Sequence, residues 1–203
     1  MRKYRHIFIL FVFAAFSATA FADLYHHYGI PTWSTTGSDA HCLDEQAAME
    51  HAFSTLMSAL DGANLIHDVG YLGQGLLGHP ASIVMCDEII SYVKRVVRGF
   101  DIDRESLALD VIRKVGPGGD YLAERHTVKH FRQELWRPKY LNRDNPETWE
   151  KKGSKRYAER VTQKAKDILT THQPQPLPDG VIEQIRTIAE RAERQLASMQ
   201  FKA

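Results

Sequence analysis

The sequence predicts a helix-rich α/β domain that continues into a helical carboxyl-terminal tail. Strand, helix and strand patterns follow one another between residues 32 and 66, and charged, solvated helical patterns take over after Trp136. The length of 203 residues allows one domain or one and a half. A hydrophobic fraction of 43% supplies a sizeable core, which excludes disordered, collagenous and disulfide-scaffold classes.

The nearly balanced charge of the chain argues against a highly charged partner. Lys and Arg number 26 against 25 for Asp and Glu, which leaves a net charge of +1. Without a global field, neither nucleic acid nor an anionic membrane surface is an expected partner. The only cysteines, Cys42 and Cys86, fit neither a zinc-finger spacing nor a framework of bridges, and we expect both to be reduced.

The first elements form a strand-helix-strand unit. A β-branched and aromatic run over 32–36 predicts the first strand, and the apolar run 63–66 predicts the second, buried one. Asp44 is suited to cap the helix between them, which Asp61-Gly62 ends. One continuous apolar face is expected on this helix, formed by Ala48, Met49, Ala52, Phe53, Leu56, Met57 and Leu60.

Three further helices are predicted before residue 137. One opens near Pro80 and Ser82 and ends at Gly99, one is capped by Asp103 and ends at Gly116, and one covers 126–136. The glycines between residues 70 and 78 predict a loop. The Gly-Pro-Gly-Gly-Asp loop at 116–120 has few side chains, so its backbone can approach a ligand closely or form a tight structural turn.

The tail is predicted as two helices joined by a stiff linker. Pro146 begins a charged helix through Ile168, and three prolines between 174 and 178 stiffen the linker. The last helix carries one apolar seam that is suited to packing on a neighbouring helix, in its own domain or in another subunit. The seam consists of Ile182, Ile185, Ala189, Ala192, Leu196 and Met199.

The first 22 residues resemble a secretory signal. Three basic residues precede the apolar run 7–16, and Ala20-Phe21-Ala22 resembles a cleavage site. Taken alone, this leader predicts export. The residues after Ala22 have the pattern of an intracellular enzyme, so we expect a cytoplasmic protein with a misassigned start.

Candidate site residues follow the second strand. His67 and Asp68 stand where the strand ends, and active-site groups of parallel β/α folds lie at such ends. A hydrogen-bonded structural histidine is the alternative. Cys42 lies beside His41, but the sequence assigns no third group for a nucleophile of the cysteine-histidine type.

One helix face offers a geometric possibility for a metal. His126, His130 and Glu134 are spaced four residues apart and therefore share a face. They lack the His-Glu-x-x-His order of metalloproteases, so a hydrogen-bonded polar face is favoured and no metal is expected.

Five segments in order resemble the trimethylamine:corrinoid methyltransferase family. The resemblance runs from about Asp23 to Ala192 and corresponds to the carboxyl-terminal part of that family. The segments are Ser38-Asp39-Ala40-His41, Asp44-Glu45-Gln46-Ala47, Gly62-Ala63-Asn64-Leu65-Ile66-His67, Arg113-Lys114-Val115-Gly116-Pro117-Gly118-Gly119 and His130-Phe131-Arg132-Gln133-Glu134-Leu135-Trp136.

The resemblance implies an eight-stranded β/α (TIM) barrel of which this chain holds only the last strands and the closing helices. Residues 23–136 are then the carboxyl-terminal part of the barrel, and 137–203 form a helical extension. Residues 1–22 are a signal-like leader or a misassigned start.

The implied reaction moves a methyl group from a methylated amine, such as trimethylamine or a quaternary amine, to Co(I) of a separate corrinoid protein. The resemblance places this reaction in methanogenesis or one-carbon metabolism. The corrinoid (cobalamin) belongs to that partner, and none is expected bound covalently in this chain. The motif match makes His67 the first expected pocket residue, and places Gly118, Gly119 and Asp120 near substrate or corrinoid. Trp33, Tyr71 and Tyr121 are our own candidates, because aromatic faces bind methylammonium groups.

Two other functions stay open at this point. A truncated barrel without activity is suited to serve as a binding module for a corrinoid protein or a partner subunit. The leader alone indicates an exported domain of unknown role. A homo-oligomer is also left open.

Overall fold

The structure is a computed structural model that describes residues 17–198. Residues 17–27 are helical. The elements after them are β1 (Trp33–Thr35), α1 (Glu45–Leu60), β2 (Leu65–His67), β3 (Tyr71–Leu72), β4 (Leu77–Gly78), α2 (Pro80–Arg98), α3 (Arg104–Leu107), α4 (Leu109–Val115), α5 (Arg125–Glu134), α6 (Pro146–Lys151), α7 (Tyr157–Thr171) and α8 (Val181–Ser198). The predicted apolar run 7–16 and Met199 of the predicted seam lie outside the described residues.

The strand-helix-strand unit is confirmed, but its second strand is not buried as predicted, because α1 covers only one face of the pair and Leu65 on the other face is 53% exposed. Asp44 caps α1 by accepting a hydrogen bond from the backbone nitrogen of Ala47 at 3.0 Å. β1 and β2 pair in parallel, with Trp33 opposite Leu65 and Thr35 opposite His67. Parallel neighbours need a crossover connection, and α1 supplies it.

The prediction for the buried face of α1 is wrong. Met49 is 62% exposed and Leu60 is 58% exposed. The reason lies in Ser34 of β1 and in Thr36 directly after it, whose hydroxyls face the helix and need polar partners when buried. The face of α1 that is buried instead consists of Ala47, Glu50, His51, Ser54, Thr55 and Ser58.

Hydroxyl pairs join β1 to α1. The Oγ atoms of Ser34 and Ser58 are 2.7 Å apart. Thr36 Oγ1 lies 2.8 Å from Ser54 Oγ and 3.0 Å from Thr55 Oγ1. Short polar side chains therefore replace the expected apolar contact between this strand and its helix.

The apolar core lies between α1, α2 and α7. Leu72 and Met85 lie in one cluster with Ala40, Ala47 and Cys86. A second cluster joins α2 to α7 and consists of Ala81, Val84, Val161 and Ala165. Both cysteines are free thiols, with Cys86 buried and Cys42 exposed.

Three predicted element boundaries are corrected. The glycine-rich stretch after β2 is not wholly loop, because β3 and β4 form a short antiparallel hairpin within it. The helix expected from Asp103 to Gly116 is two helices, since Ala108 adopts a left-handed conformation with φ +47°. The helix expected from Pro146 to Ile168 is also two, because Gly153 and Ser154 have φ +88° and +51°.

The chain divides into two compact units between Asp167 and Ile168. The second unit contains the end of α7 and α8, where the last helix is confirmed over Val181–Ser198. The boundary after Trp136, between a barrel part at 23–136 and a helical extension at 137–203, stays a prediction. Among residues 17–198, no helix combines the length and the apolar character that a membrane crossing needs. The many helices and few strands fit part of an α/β fold.

Candidate active site

The carboxyl ends of β1 and β2 meet at one edge of the parallel pair. The backbone nitrogen of Thr36 donates to the carbonyl of His67 at 3.0 Å, which holds the two strand ends side by side. Side chains alternate along each strand, so Trp33, Thr35, Leu65 and His67 share the face opposite to α1. The predicted residues His67 and Trp33 are thus brought together.

Asp68 is held by the two strand ends. Thr35 Oγ1 donates to Asp68 Oδ2 at 2.7 Å. His67 Nδ1 lies 2.8 Å from Asp68 Oδ1, and both side chains are 38% exposed. Each carboxylate oxygen therefore has its own partner, which fixes the orientation of the carboxylate while leaving it accessible.

The backbone at Asp68 is unusual. Its φ of +63° lies in the left-handed region, which few residues other than glycine adopt. Such conformations concentrate at functional sites, where the surrounding structure enforces them. Asp68 is thus held by its backbone as well as by its two hydrogen-bonding neighbours.

An aromatic cavity adjoins the open strand face. The Trp33 and His67 rings meet edge to face, with centroids 4.8 Å apart and an interplanar angle of 74°. Phe21 and Tyr25 from the helical segment 17–27 line the same cavity, whose volume is about 580 Å³. Aromatic faces are the surfaces that attract quaternary and tertiary ammonium groups.

A second carboxylate lies in the neighbouring cavity. Asp39 and Asp68 both line a cavity of about 230 Å³, together with Tyr71 and Gln74. Burial and the nearby charge of Glu50 raise the pKa of Asp39, while His41 acts in the opposite direction. Thr35 borders both this acidic cavity and the aromatic one.

Glu50 of α1 positions the loop that carries Asp39. Its Oε2 accepts from Ser38 Oγ at 2.7 Å and from the backbone nitrogen of Asp39 at 2.8 Å. Its other oxygen accepts from Gln46 Nε2 at 3.0 Å. A buried glutamate with three donors is a rigid support for the loop after β1.

Sequence reasoning missed Thr35, Asp39 and Glu50. In the sequence, Thr35 is only one residue of the strand pattern 32–36. Asp39 stood within the Ser38-Asp39-Ala40-His41 segment of the family resemblance, which was its only signal. The helical neighbour Gln46 does not mark Glu50 as a functional residue, and the two partners that do, Ser38 and Asp39, lie at least eleven residues away along the chain.

The Gly116–Asp120 loop makes local contacts. Asp120 Oδ1 accepts from the backbone nitrogen of Leu122 at 2.8 Å. A Cβ at Gly119 would lie 2.5 Å from the carbonyl oxygen of Val115, so the tight turn requires glycine there. Among the described residues, neither cavity beside Thr35 is lined by Gly118, Gly119, Asp120 or Tyr121. Their role near substrate or corrinoid stays a prediction.

The environment of Cys42 differs from that of a cysteine nucleophile. Its Sγ donates to Asp44 Oδ2 at 3.2 Å, and this hydrogen bond raises the pKa of the thiol. His41 Nδ1 instead contacts the carbonyl oxygen of Asp39 at 2.9 Å. A thiol held in its protonated form is a poor nucleophile.

The three residues of the predicted polar helix face have separate partners. Glu134 Oε2 accepts from Arg95 at 3.0 Å and from Arg98 at 2.9 Å. His126 and His130 instead contact Glu105. The structure therefore does not group Glu134 with the two histidines.

Comparisons with known proteins agree on one class of enzyme. The model of the family described as Trimethylamine methyltransferase (MTTB) matches residues 14–197. A trimethylamine methyltransferase of Desulfitobacterium hafniense is 34% identical over 173 residues, which cover 85% of this chain and 35% of that relative. A trimethylamine methyltransferase of Methanosarcina barkeri is 32% identical over 183 residues, which cover 90% and 37% respectively.

A relative with a different substrate name also matches. A glycine betaine methyltransferase of Desulfitobacterium hafniense is 33% identical over 135 residues, which cover 66% of this chain and 28% of that relative. All of these relatives are methyltransferases named for methylated amines.

The chain belongs to the trimethylamine methyltransferase family. The family resemblance expected from the five segments is thereby confirmed. The chain spans little more than a third of the length of the two trimethylamine methyltransferases, 35% and 37%. The match begins at residue 14 and so includes the last part of the signal-like leader.

Proposed function

We propose that this chain forms the carboxyl-terminal part of a β/α (TIM) barrel methyltransferase. In this proposal the complete enzyme moves a methyl group from a methylated amine, such as trimethylamine or a quaternary amine, to a corrinoid protein. The names of the relatives support the amine and the methyl transfer. The proposed corrinoid partner rests on the family resemblance.

The open face of the β1–β2 pair carries this proposal. α1 covers one face, while Trp33 and Leu65 on the other are 69% and 53% exposed. Barrel strands are covered by helices outside and by the side chains of the other strands inside. In this proposal the exposed face corresponds to the barrel interior, which the remaining length of the relatives would complete.

The carboxylates and aromatic rings at the strand ends suit a methylammonium group. Asp68 supplies an accessible negative charge, and the Trp33 ring lies against its neighbour His67. A cation gains from both a carboxylate and an aromatic face, and the gain grows when water is excluded. Tyr71 borders the same acidic cavity as Asp68.

The residues of this chain would position the substrate. The corrinoid, carried by its partner, would supply the cobalt nucleophile that accepts the methyl group. Thr35 and His67 hold the Asp68 carboxylate, and that carboxylate orients the ammonium nitrogen. Orientation of the reacting group and exclusion of water lower the barrier to such a transfer. The open strand end leaves these residues within reach of a group carried by a partner.

We also propose a cytoplasmic location. The family match begins at residue 14, inside the leader 1–22, which supports the interpretation of this leader as a start-site artefact and not as a cleaved signal. Mature protein found outside the cytoplasm with Asp23 at its amino terminus would contradict this location.

Complementation tests the proposed function. The chain is co-expressed with the part of the Desulfitobacterium hafniense trimethylamine methyltransferase that lies outside the match. Methyl transfer to a Co(I) corrinoid protein is then measured with trimethylamine and with glycine betaine. We expect transfer with the two pieces together and little or none with this chain alone.

Two outcomes contradict the proposal. Transfer by this chain alone at the rate of a full-length relative would show that no further barrel strands are needed. A complex of the two pieces that assembles but transfers no methyl group, while this chain forms a stable 1:1 complex with the corrinoid protein, would favour the binding-module function.

A further inference from the structure

A His-His-Glu cluster lies away from the candidate active site. Glu105 comes from α3, and His126 and His130 come from α5. The two histidines are four residues apart and therefore project from one side of their helix. Their ring centroids are 4.5 Å apart.

The three side chains already converge. One ligand atom from each of Glu105, His126 and His130 lies within 4.8 Å of the others. His130 Nε2 is 2.9 Å from Glu105 Oε1, and His126 Nε2 is 2.8 Å from the Glu105 carbonyl oxygen. Ligands of one tetrahedral zinc ion are separated by about 3.4 Å. Small side-chain rotations are therefore sufficient to bring these atoms onto one ion.

We propose that Glu105, His126 and His130 form a binding site for a divalent transition-metal ion of the zinc type. Two imidazoles and one carboxylate form a donor set that zinc accepts, with a fourth position left for water. Hard cations such as Mg²⁺ and Ca²⁺ prefer oxygen ligands alone. The two imidazoles therefore select for zinc and its neighbours in the first transition row.

Lys129 competes for the same carboxylate. Its Nζ lies 2.7 Å from Glu105 Oε1, the oxygen that His130 also contacts. Lys129 is 61% exposed and Glu105 is 53% exposed, so the lysine can turn into solvent when an ion binds. Exposed ion pairs of this kind are weak.

The bound ion would join two helices across the glycine-rich loop. α3 precedes α4 and the loop at 116–120, while α5 follows that loop. A metal bond between Glu105 and the two histidines would therefore hold both ends of the segment 105–130 together. This site is independent of the amine chemistry proposed above.

Zinc titration of the full chain tests the site. Isothermal titration calorimetry measures the binding of Zn²⁺ alone to the wild type and to two double variants. One double variant carries His126→Gln and His130→Gln, and the other carries His26→Gln and His27→Gln. The last pair is the matched control, because it also removes two helical histidines, but adjacent ones that do not face one direction. We expect one tight site in wild type and in the control, and its loss in the His126/His130 variant.

Two single variants keep the test independent of folding defects. Glu105→Gln is expected to weaken zinc binding roughly tenfold, because one anionic ligand is lost. Lys129→Ala is expected to tighten it about threefold, because the competing ammonium group is removed. Identical zinc isotherms for wild type and the His126/His130 variant would overturn the proposal, as would a Lys129→Ala variant that binds zinc more weakly.

Discussion

Two adjoining regions of the first unit are stabilised in different ways. Residues 33–98 contain a parallel strand pair, two packed helices and one whole buried apolar cluster, and they share a second buried cluster with α7. Residues 101–135 contain α3, α4 and α5, none of which has a fully buried residue. Ile112, for example, is 49% exposed. The first region has a core, whereas the second depends on caps, turns and ion pairs.

This difference in packing determines which region can hold functional side chains in fixed positions. In the first region the strand ends hold Asp68, Glu50 of α1 holds the backbone of Asp39, and buried hydroxyl pairs fix β1 on α1. Exposed ion pairs such as Lys129 with Glu105 hold the second region, and such pairs contribute little in water. The second region therefore gains most from a bound ion or from contact with another part of the complete enzyme.

Truncation of the core is expected to produce the largest effect. Met85 is 1% exposed in the first cluster, so Met85→Ala should lower the free energy of unfolding by about 2–5 kcal/mol. Ile112→Ala is the matched control in the second region and should change it by less than about 1 kcal/mol. Urea unfolding followed by circular dichroism measures both. Equal losses would show that the second region also has a core.

The two sides of the segment formed by β1 and Thr36, the residue directly after it, provide the next test. Thr36→Val removes a hydroxyl that lies within hydrogen-bonding distance of Ser54 and Thr55, and should lower the free energy of unfolding by about 1–3 kcal/mol. Thr35→Val changes the exposed side of the same strand and should have less effect on stability than Thr36→Val. The same urea titration compares them. A larger loss for Thr35→Val would contradict the packing of hydroxyls between β1 and α1.

The core has a pH-dependent component at Tyr157. Burial, followed by the charge of Glu88, raises the pKa of Tyr157 above its ordinary value of 10.0. The stabilisation is therefore fully present below pH 10 and is lost as the pH rises further. Tyr157→Phe should lower the free energy of unfolding by about 1 kcal/mol at neutral pH and flatten its decline above pH 10.

Thermal unfolding at pH 8 and at pH 11 measures this effect. Tyr28→Phe, which changes a tyrosine that is 66% exposed, serves as the control and should leave the wild-type decline in place. An unchanged slope in Tyr157→Phe would show that Tyr157 does not contribute to the alkaline loss of stability.

The smallest expected change lies in the second region. Asp103 caps α3 by accepting from the backbone nitrogen of Ser106 at 2.7 Å, and this bond lowers the pKa of Asp103. Its stabilisation is present above about pH 4 and is lost as the pH falls further. Asp103→Ala should lower Tm by about 2 °C at pH 7 and by less at pH 3. Asp101→Ala, without this cap, should leave Tm unchanged.

Local signals predicted the elements better than the contacts between them. Asp44 and Asp103 were predicted as caps because a cap depends on the next three residues. The break at Ala108 was not predictable, since alanine favours helix continuation. The buried face of α1 was mispredicted because β1 and Thr36 directly after it supply the partners of Ser54, Thr55 and Ser58.

Only the site residues at the end of a predicted strand could be found from the sequence. His67 and Asp68 were predicted from the end of the second strand, and the structure pairs them at 2.8 Å, although that strand is not buried as expected. Thr35 reaches Asp68 across 33 residues of sequence, which no local pattern shows. Glu105 takes the place expected for Glu134 beside the histidines, because Arg95 and Arg98 bind Glu134.

The charge of Asp68 tests the account of methyl transfer most directly. In the complemented enzyme, kcat/KM for trimethylamine is compared for wild type, Asp68→Asn and the control Asp110→Asn, which changes an exposed carboxylate of the second region. We expect kcat/KM to fall about 10- to 100-fold in Asp68→Asn and to stay unchanged in Asp110→Asn. Equal kcat/KM values for wild type and Asp68→Asn would contradict the placement of the ammonium group at the ends of β1 and β2.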